Sequence, residues 1–171
     1  MLTELEGDVL GFIWKLGPVT TYRLRRIFAD SPSSHWRASA GSIYPAVQRL
    51  VARGLVRASI RKTGGRSGST LVPTTKGVRA LADWIAPADP SDIAAFTHDP
   101  VRTRLHFLGL LPHGRRKRYL ARLEVLLEEQ VALYQGAGRD EDDEWDDVVR
   151  RGALEMHRAR LRWIRQVAKS T

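Results

Sequence analysis

GSIYPAVQRLVARGLV, residues 41–56, is the stretch from which the fold is read. Ile43, Ala46, Val47, Leu50 and Val51 recur at i, i+3, i+4, i+7 and i+8, which places them on one face of a helix running from about Ser42 to Arg53. Pro45 is compatible with that helix if Ser42 caps it, because first-turn N–H groups have no intrahelical partner to lose. Gly54 follows as a C′ residue that ends the helix. Tyr44, Gln48, Arg49 and Arg53 occupy the opposite face, so the spacing predicts a rod seated on aliphatic side chains with polar groups pointing outward.

Working outward, a first helix is predicted from about Leu2 to Leu16. It carries an apolar stripe of Leu2, Leu5, Val9, Phe12, Ile13 and Leu16 and is stopped by Gly17 and Pro18. A second begins at Thr20 or Thr21 and runs to about Ala29, and DSPSSHWRASAG (30–41) reads as a turn-rich connection. After Gly54, LVRASIRK (55–62) alternates with period two, with Ala58 and Ile60 on one side and Arg57, Ser59 and Arg61 on the other. That pattern predicts a half-buried strand. GGRSGS (64–69) reads as a loop and TLVP (70–73) as the returning strand. Thr74 caps a further helix to about Ile85, its face made by Val78, Leu81, Ala82 and Ile85. Helix–helix–helix–strand–loop–strand–helix is the order of a winged helix-turn-helix with a two-stranded β wing.

Charge agrees with that reading. Of the 28 Lys/Arg and 19 Asp/Glu that give the chain its net +9, residues 1–85 hold 13 basic and 5 acidic, and residues 86–171 hold 15 and 14. The excess belongs to the N-terminal half, as expected of a module that meets phosphate. There is no cysteine, which excludes disulfides, thiolate metal sites and cysteine nucleophiles. No apolar run approaches the roughly 20 residues of a membrane span, and the first residues carry acids where a signal peptide needs positive charge. A cytoplasmic location is expected.

APADPSDIAAFTHDP (86–100), with three prolines, reads as a linker between a winged helix-turn-helix at 1–85 and a helical domain at 101–171. In that second part, helical patterns cover 101–111, about 114–135 and about 145–168. Tyr119, Leu120, Leu123, Leu126, Leu127, Gln130, Val131 and Tyr134 form a seam on the middle one. Trp145, Val148, Val149, Leu154, Leu161, Ile164 and Val167 mark the last. This is more apolar surface than one thin layer buries against itself, so pairing with a second copy is expected. The fold class is therefore mainly α, with an N-terminal winged helix-turn-helix followed by a helical dimerisation domain.

Residues 41–56 also resemble the GSIYPAL-x-x-L-x-x-x-GL-[IV] signature of PadR-family transcriptional regulators. The resemblance extends to His35-Trp36 ahead of the helix, GGR at 64–66, Thr74 with Gly77, and, more loosely, DPVRTRLHFLGLLP (99–112) with the late helix holding Gly152, Leu161 and Trp163. It implies a sequence-specific, homodimeric repressor that binds duplex DNA. The implied contacts are Gly41, Ser42, Tyr44 and Pro45 at the leading end, Gln48 and Arg49 reading base edges, Arg37 and Ser39 ahead of the helix, and Thr20, Thr21 and Tyr22 at the start of the second helix. Lys62 and Arg66 are the wing contacts. The chain departs from the family where Ser67, Gly68, Ser69, Thr70 and Leu71 replace a proline, a basic residue and paired tyrosines, and where Thr20-Thr21 replaces His-Gly. Some family members release DNA on binding a small aromatic effector near the junction of the domains, a role for which Trp14, Trp84 and Trp163 are the candidates.

Other classes find less support. Residues 140–147, DEDDEWDD, lack the spacing and glycine of a calcium loop, and the five histidines form no metal-binding pattern, so no metal or cofactor is expected. No nucleophile–base set argues for an enzyme, and no aromatic sheet platform argues for RNA. The alternative is a protein-interaction module whose winged helix binds DNA only weakly and without sequence preference.

Overall fold

The computed structural model describes residues 1–63, 66–95, 98–136 and 144–171, with only the backbone given for 60–63, 66–68 and 144. The chain divides into two compact units, Met1–Ala95 and Phe96–Thr171.

In the first unit, α1 spans Glu4–Leu16, α2 Thr21–Ala29, α3 Ser34–Ser39, α4 Ile43–Ala52 and α5 Thr75–Ile85; β1 spans Val56–Thr63 and β2 Arg66–Pro73. Capping sets most of the starts. Thr3 opens α1 with a capping box in which its hydroxyl accepts from the Glu6 N–H and the Glu6 carboxylate accepts from the Thr3 N–H. Thr20 caps α2 and Thr74 caps α5 in the same side-chain-to-backbone manner. Gly54 ends α4 at φ 68°, a left-handed position that favours glycine.

The strands form an antiparallel ribbon in the register Val56↔Pro73 through Thr63↔Arg66. Val19, in the turn between α1 and α2, adds a bridge to Leu71. The core gathers Val9, Leu10 and Ile13 of α1, Leu24 and Phe28 of α2, Ile43, Ala46, Val47 and Leu50 of α4, and Leu55, Val56, Leu71 and Leu81. Of the predicted face, Ile43, Ala46, Val47 and Leu50 are buried, whereas Val51 is 38% exposed.

Five local expectations are corrected. Residues 66–69, expected in a loop, belong to β2 and pair with 60–63 of β1. The segment 30–41 is not only turns: it holds α3, capped by Ser33 and pinned by Trp36, whose ring packs against Phe12 and Phe28 and whose Nε1–H donates to Asp8. Ser42 does not cap α4 with its side chain. It closes a 3₁₀ turn, Ala40–Ser42, at φ −95° and ψ 1°, which feeds straight into the helix. The ribbon is not half-buried along its length, since Ala58 is exposed like Arg57 and Ser59, and Leu55, Val56 and Leu71 at its base carry the burial. On α5 the inward face is Gly77, Leu81 and Trp84, leaving Val78, Ala82 and Ile85 exposed. Gly77 is required there because a Cβ would stand 2.0 Å from the Leu55 carbonyl oxygen.

A short α6, Ser91–Ala94, closes the first unit; the second holds α7 at Pro100–Leu105, α8 at His113–Gly136 and α9 at Glu144–Lys169. Asp99 caps α7 and binds Arg160 of α9 at 2.8 Å. Helices α8 and α9 pack on Leu120, Leu127, Leu161 and Ile164, with Tyr119, Leu123, Val131, Trp163 and Val167 around them. The first half of the acidic run, 140–143, lies outside the described residues. Among the described residues no helix is long and apolar enough to cross a membrane.

Candidate nucleic-acid interface

Because Ile43, Ala46, Val47 and Leu50 fill the core, α4 is held from behind, and its other face is set by helical geometry to point outward. Gly41, Ser42, Tyr44, Pro45, Gln48 and Arg49 are all exposed. Tyr44 is 48% exposed, which leaves its hydroxyl open to an outside partner. Nothing stands within 4 Å of where a Cβ would be on Gly41, so a flat surface can approach the backbone at this end. The Ser42 hydroxyl, freed from capping, makes no bond to its own helix. The leading end therefore offers a hydroxyl, a phenol and an amide beside the positive end of a helix, donors suited to phosphate and base edges.

Other predicted contacts are placed differently. At the start of α2, Tyr22 is exposed with the Arg25 guanidinium 5.9 Å from its ring centroid, and Thr21 is half-buried. The Thr20 hydroxyl already accepts from the Arg23 N–H, leaving its own proton for an outside acceptor. Arg37 turns back on its own chain: Nη1 donates to the Ser31 carbonyl at 2.7 Å and to the Pro32 carbonyl at 2.8 Å, which braces the α2–α3 turn. The Ser39 hydroxyl donates to the His35 carbonyl. Lys62 and Arg66 lie in the ribbon near its tip, and their side chains are outside the described residues.

Sequence reading missed the partner of Arg49. Its Nε donates to Glu6 Oε1 at 2.7 Å, while Arg53 Nη1 donates to Glu6 Oε2 at 2.8 Å and Arg53 Nη2 to the Met1 carbonyl at 3.2 Å. Glu6 is only 3% exposed. Burial pushes its carboxyl up, but hydrogen bonds from Arg49 and the Thr3 backbone, with the charges of Arg53 and Arg49, outweigh that and hold it below its ordinary 4.5. The residues lie 43 and 47 positions apart, and no local spacing announces them.

The tryptophans proposed for an effector are also placed. Trp84 lies flat on α1 at Gly7, where a Cβ would come within 2.2 Å of the indole, and its Nε1–H donates to Glu4. Trp163 packs beside the α8–α9 core. Both rings are used in packing. Trp14 is exposed. Among the described residues no group of His, Asp or Glu is arranged to hold a metal ion.

A helix held by the core and presented on its polar side, a preceding helix across its start and a β ribbon beside it define a winged helix-turn-helix module, here followed by a helical unit. Residues 9–83 match the model of the transcriptional regulator PadR-like family. The fold is similar over its whole length to Bacillus subtilis PadR in complex with operator DNA, at TM-score 0.81 and 19% identity, covering 98% of this chain and 99% of that one. It is likewise similar to Bacillus subtilis PadR in complex with p-coumaric acid, at TM-score 0.74 and 19% identity, covering 97% of each chain. The PadR-like regulator BC1756 from Bacillus cereus is similar at TM-score 0.74 and 13% identity, covering 99% and 97%. No curated protein sequence matches the chain. The family and the structural neighbours are transcriptional regulators.

Proposed function

We propose that the chain is a sequence-specific regulator that binds duplex DNA as a homodimer and acts as a cytoplasmic repressor. The observation that carries this reading is the outward face of α4, where Gly41, Ser42, Tyr44, Gln48 and Arg49 are exposed on a helix whose other side is core. A rod of this width fits a major groove, with its first residues at the base edges. The operator complex of the Bacillus subtilis neighbour supports the same use of the fold.

Dimerisation is supported by the second unit, which leaves Val125, Leu126 and Leu133 of α8 and Val148, Val149 and Met156 of α9 exposed. Covering them with a second copy removes apolar surface from water and supplies two recognition helices for half-sites about one helical turn apart. For an effector, the p-coumaric acid complex of a neighbour motivates a small aromatic acid, and of the three candidate tryptophans Trp14 is the one whose ring is exposed to report it.

Selection of bound duplexes from a random pool tests the reading. Enrichment of a palindrome is the expected result. Retention of duplexes without any shared sequence would favour the weak, non-specific alternative.

A further inference from the structure

Glu6 sits where the recognition surface meets its scaffold, and its two arginine partners are not used alike. Arg53 gives two nitrogens of its fork to fixed groups at the start of the chain, the Glu6 carboxylate and the Met1 carbonyl. It is an anchor. Arg49 contributes Nε to the carboxylate at 2.7 Å, and its side chain remains 51% exposed next to Gln48 on the outward face. A guanidinium carries five donors in one plane, so engaging Nε leaves the edge made by the two terminal nitrogens available for a paired acceptor. A single carboxylate facing two arginines also leaves net positive charge at this spot, which suits an anionic or acceptor-rich partner.

An unbraced arginine on a helix surface samples many rotamers and must give up that freedom to read a base edge. Glu6 has already removed it. The carboxylate is itself fixed: it is buried on α1 and hydrogen-bonded by the Thr3 N–H. Its position is therefore set by the core rather than by solvent.

We propose that Glu6 is a positioning residue for base recognition, a carboxylate on α1 that orients the Arg49 guanidinium so that its free edge meets a guanine in the major groove. This rests on the DNA-binding reading above and adds a specificity determinant outside the recognition helix. Arg49 makes the contact, and Glu6 acts through it.

The test uses the full chain and the duplex it selects from a random pool. Affinities are measured for that duplex and for versions with each G·C pair replaced. Arg49→Ala is expected to lose discrimination at one pair by roughly 5- to 150-fold, the worth of a good bidentate contact. Glu6→Gln, which keeps shape but drops the charge, is expected to lose about tenfold at that same pair, with far-ultraviolet circular dichroism and binding to unrelated duplex unchanged. In the double variant Glu6→Gln should add nothing to Arg49→Ala at that position. A structural role alone would instead weaken all duplexes equally and persist in the Arg49→Ala background, and that result overturns the proposal. Unchanged base preference in Glu6→Gln also overturns it while leaving DNA binding intact. Failure of the unaltered chain to select any sequence overturns the DNA reading itself.

Discussion

The two units bury themselves to different degrees. In the first, elements from five helices and a ribbon surround one core, and Val9, Leu10, Ile13, Leu24, Phe28, Ile43, Ala46 and Leu50 are wholly inaccessible. In the second, two long helices share a narrow seam, while Phe107 and Leu110 stand 69% and 87% exposed. A closed core needs no partner. A two-helix layer has one face too many, and the excess is what a second copy would cover. The difference teaches that the first unit closes its core within one chain, whereas the second leaves apolar side chains exposed that the proposed dimer would cover.

The largest effect should come from the closed core. Phe28→Ala removes a ring that touches Phe12 and Trp36 and should cost about 3–5 kcal/mol, measured by urea denaturation. Met156→Ala in the second unit should leave monomer stability within roughly 0.5 kcal/mol. It should weaken self-association in sedimentation equilibrium, and an equal loss of stability at both positions would erase the distinction between the units. Next in size is Gly77→Ala. The atom met by the new Cβ is the Leu55 backbone oxygen, which cannot turn aside, so a loss on the order of 3 kcal/mol is expected in thermal unfolding.

Smaller effects separate reading from folding. Tyr44→Ala should reduce affinity for a selected duplex by roughly 1–3 kcal/mol with melting temperature unaltered, checked by fluorescence anisotropy beside calorimetry. Thr20→Ala removes the α2 cap and should cost about 1 kcal/mol of stability.

Each unit also carries a carboxylate clamped by a distant arginine, Glu6 in the first and Asp99 in the second. For Asp99, burial raises the carboxyl, but N–H donors of Arg102 and Val101 together with Arg160 hold it below 3.8. A carboxyl depressed on folding stabilises the fold above its ordinary value, and that contribution is lost as pH falls through the depressed one. Glu6→Gln should therefore flatten the loss of stability below pH 4.5 in the first unit, and Asp99→Asn the loss below 3.8 in the second, followed by acid titration with circular dichroism.

Much of this organisation was legible in residue spacing. Most of the buried faces of α1 and α4, the Thr20 and Thr74 caps and the C′ glycine at 54 follow from local rules and are found, with buried Leu10 outside the expected stripe and Val51 exposed. α3 was not legible because six residues carry no repeating apolar stripe; its signals were Ser33 as a cap and Trp36, which packs partly buried against the core. The inward face of α5 was misjudged because a glycine packs closely by lacking a side chain, which hydrophobic periodicity does not score. Alternation along 55–62 overstated burial, since period two fixes which side chains share a face and not whether anything covers it. The Glu6 pairing with Arg49 and Arg53 joins residues brought together only by the packing of α1 on α4. Sequence placed Arg49 correctly on the outward face and could not show what holds it there.

The most direct measurement of the central claim is site-specific crosslinking from the outward face of α4. With a photoreactive residue in place of Gln48, irradiation on the selected duplex should crosslink to bases within each half-site, while the same residue at Met156 should leave DNA unlabelled. Crosslinking from position 156 without any from position 48 would contradict the account.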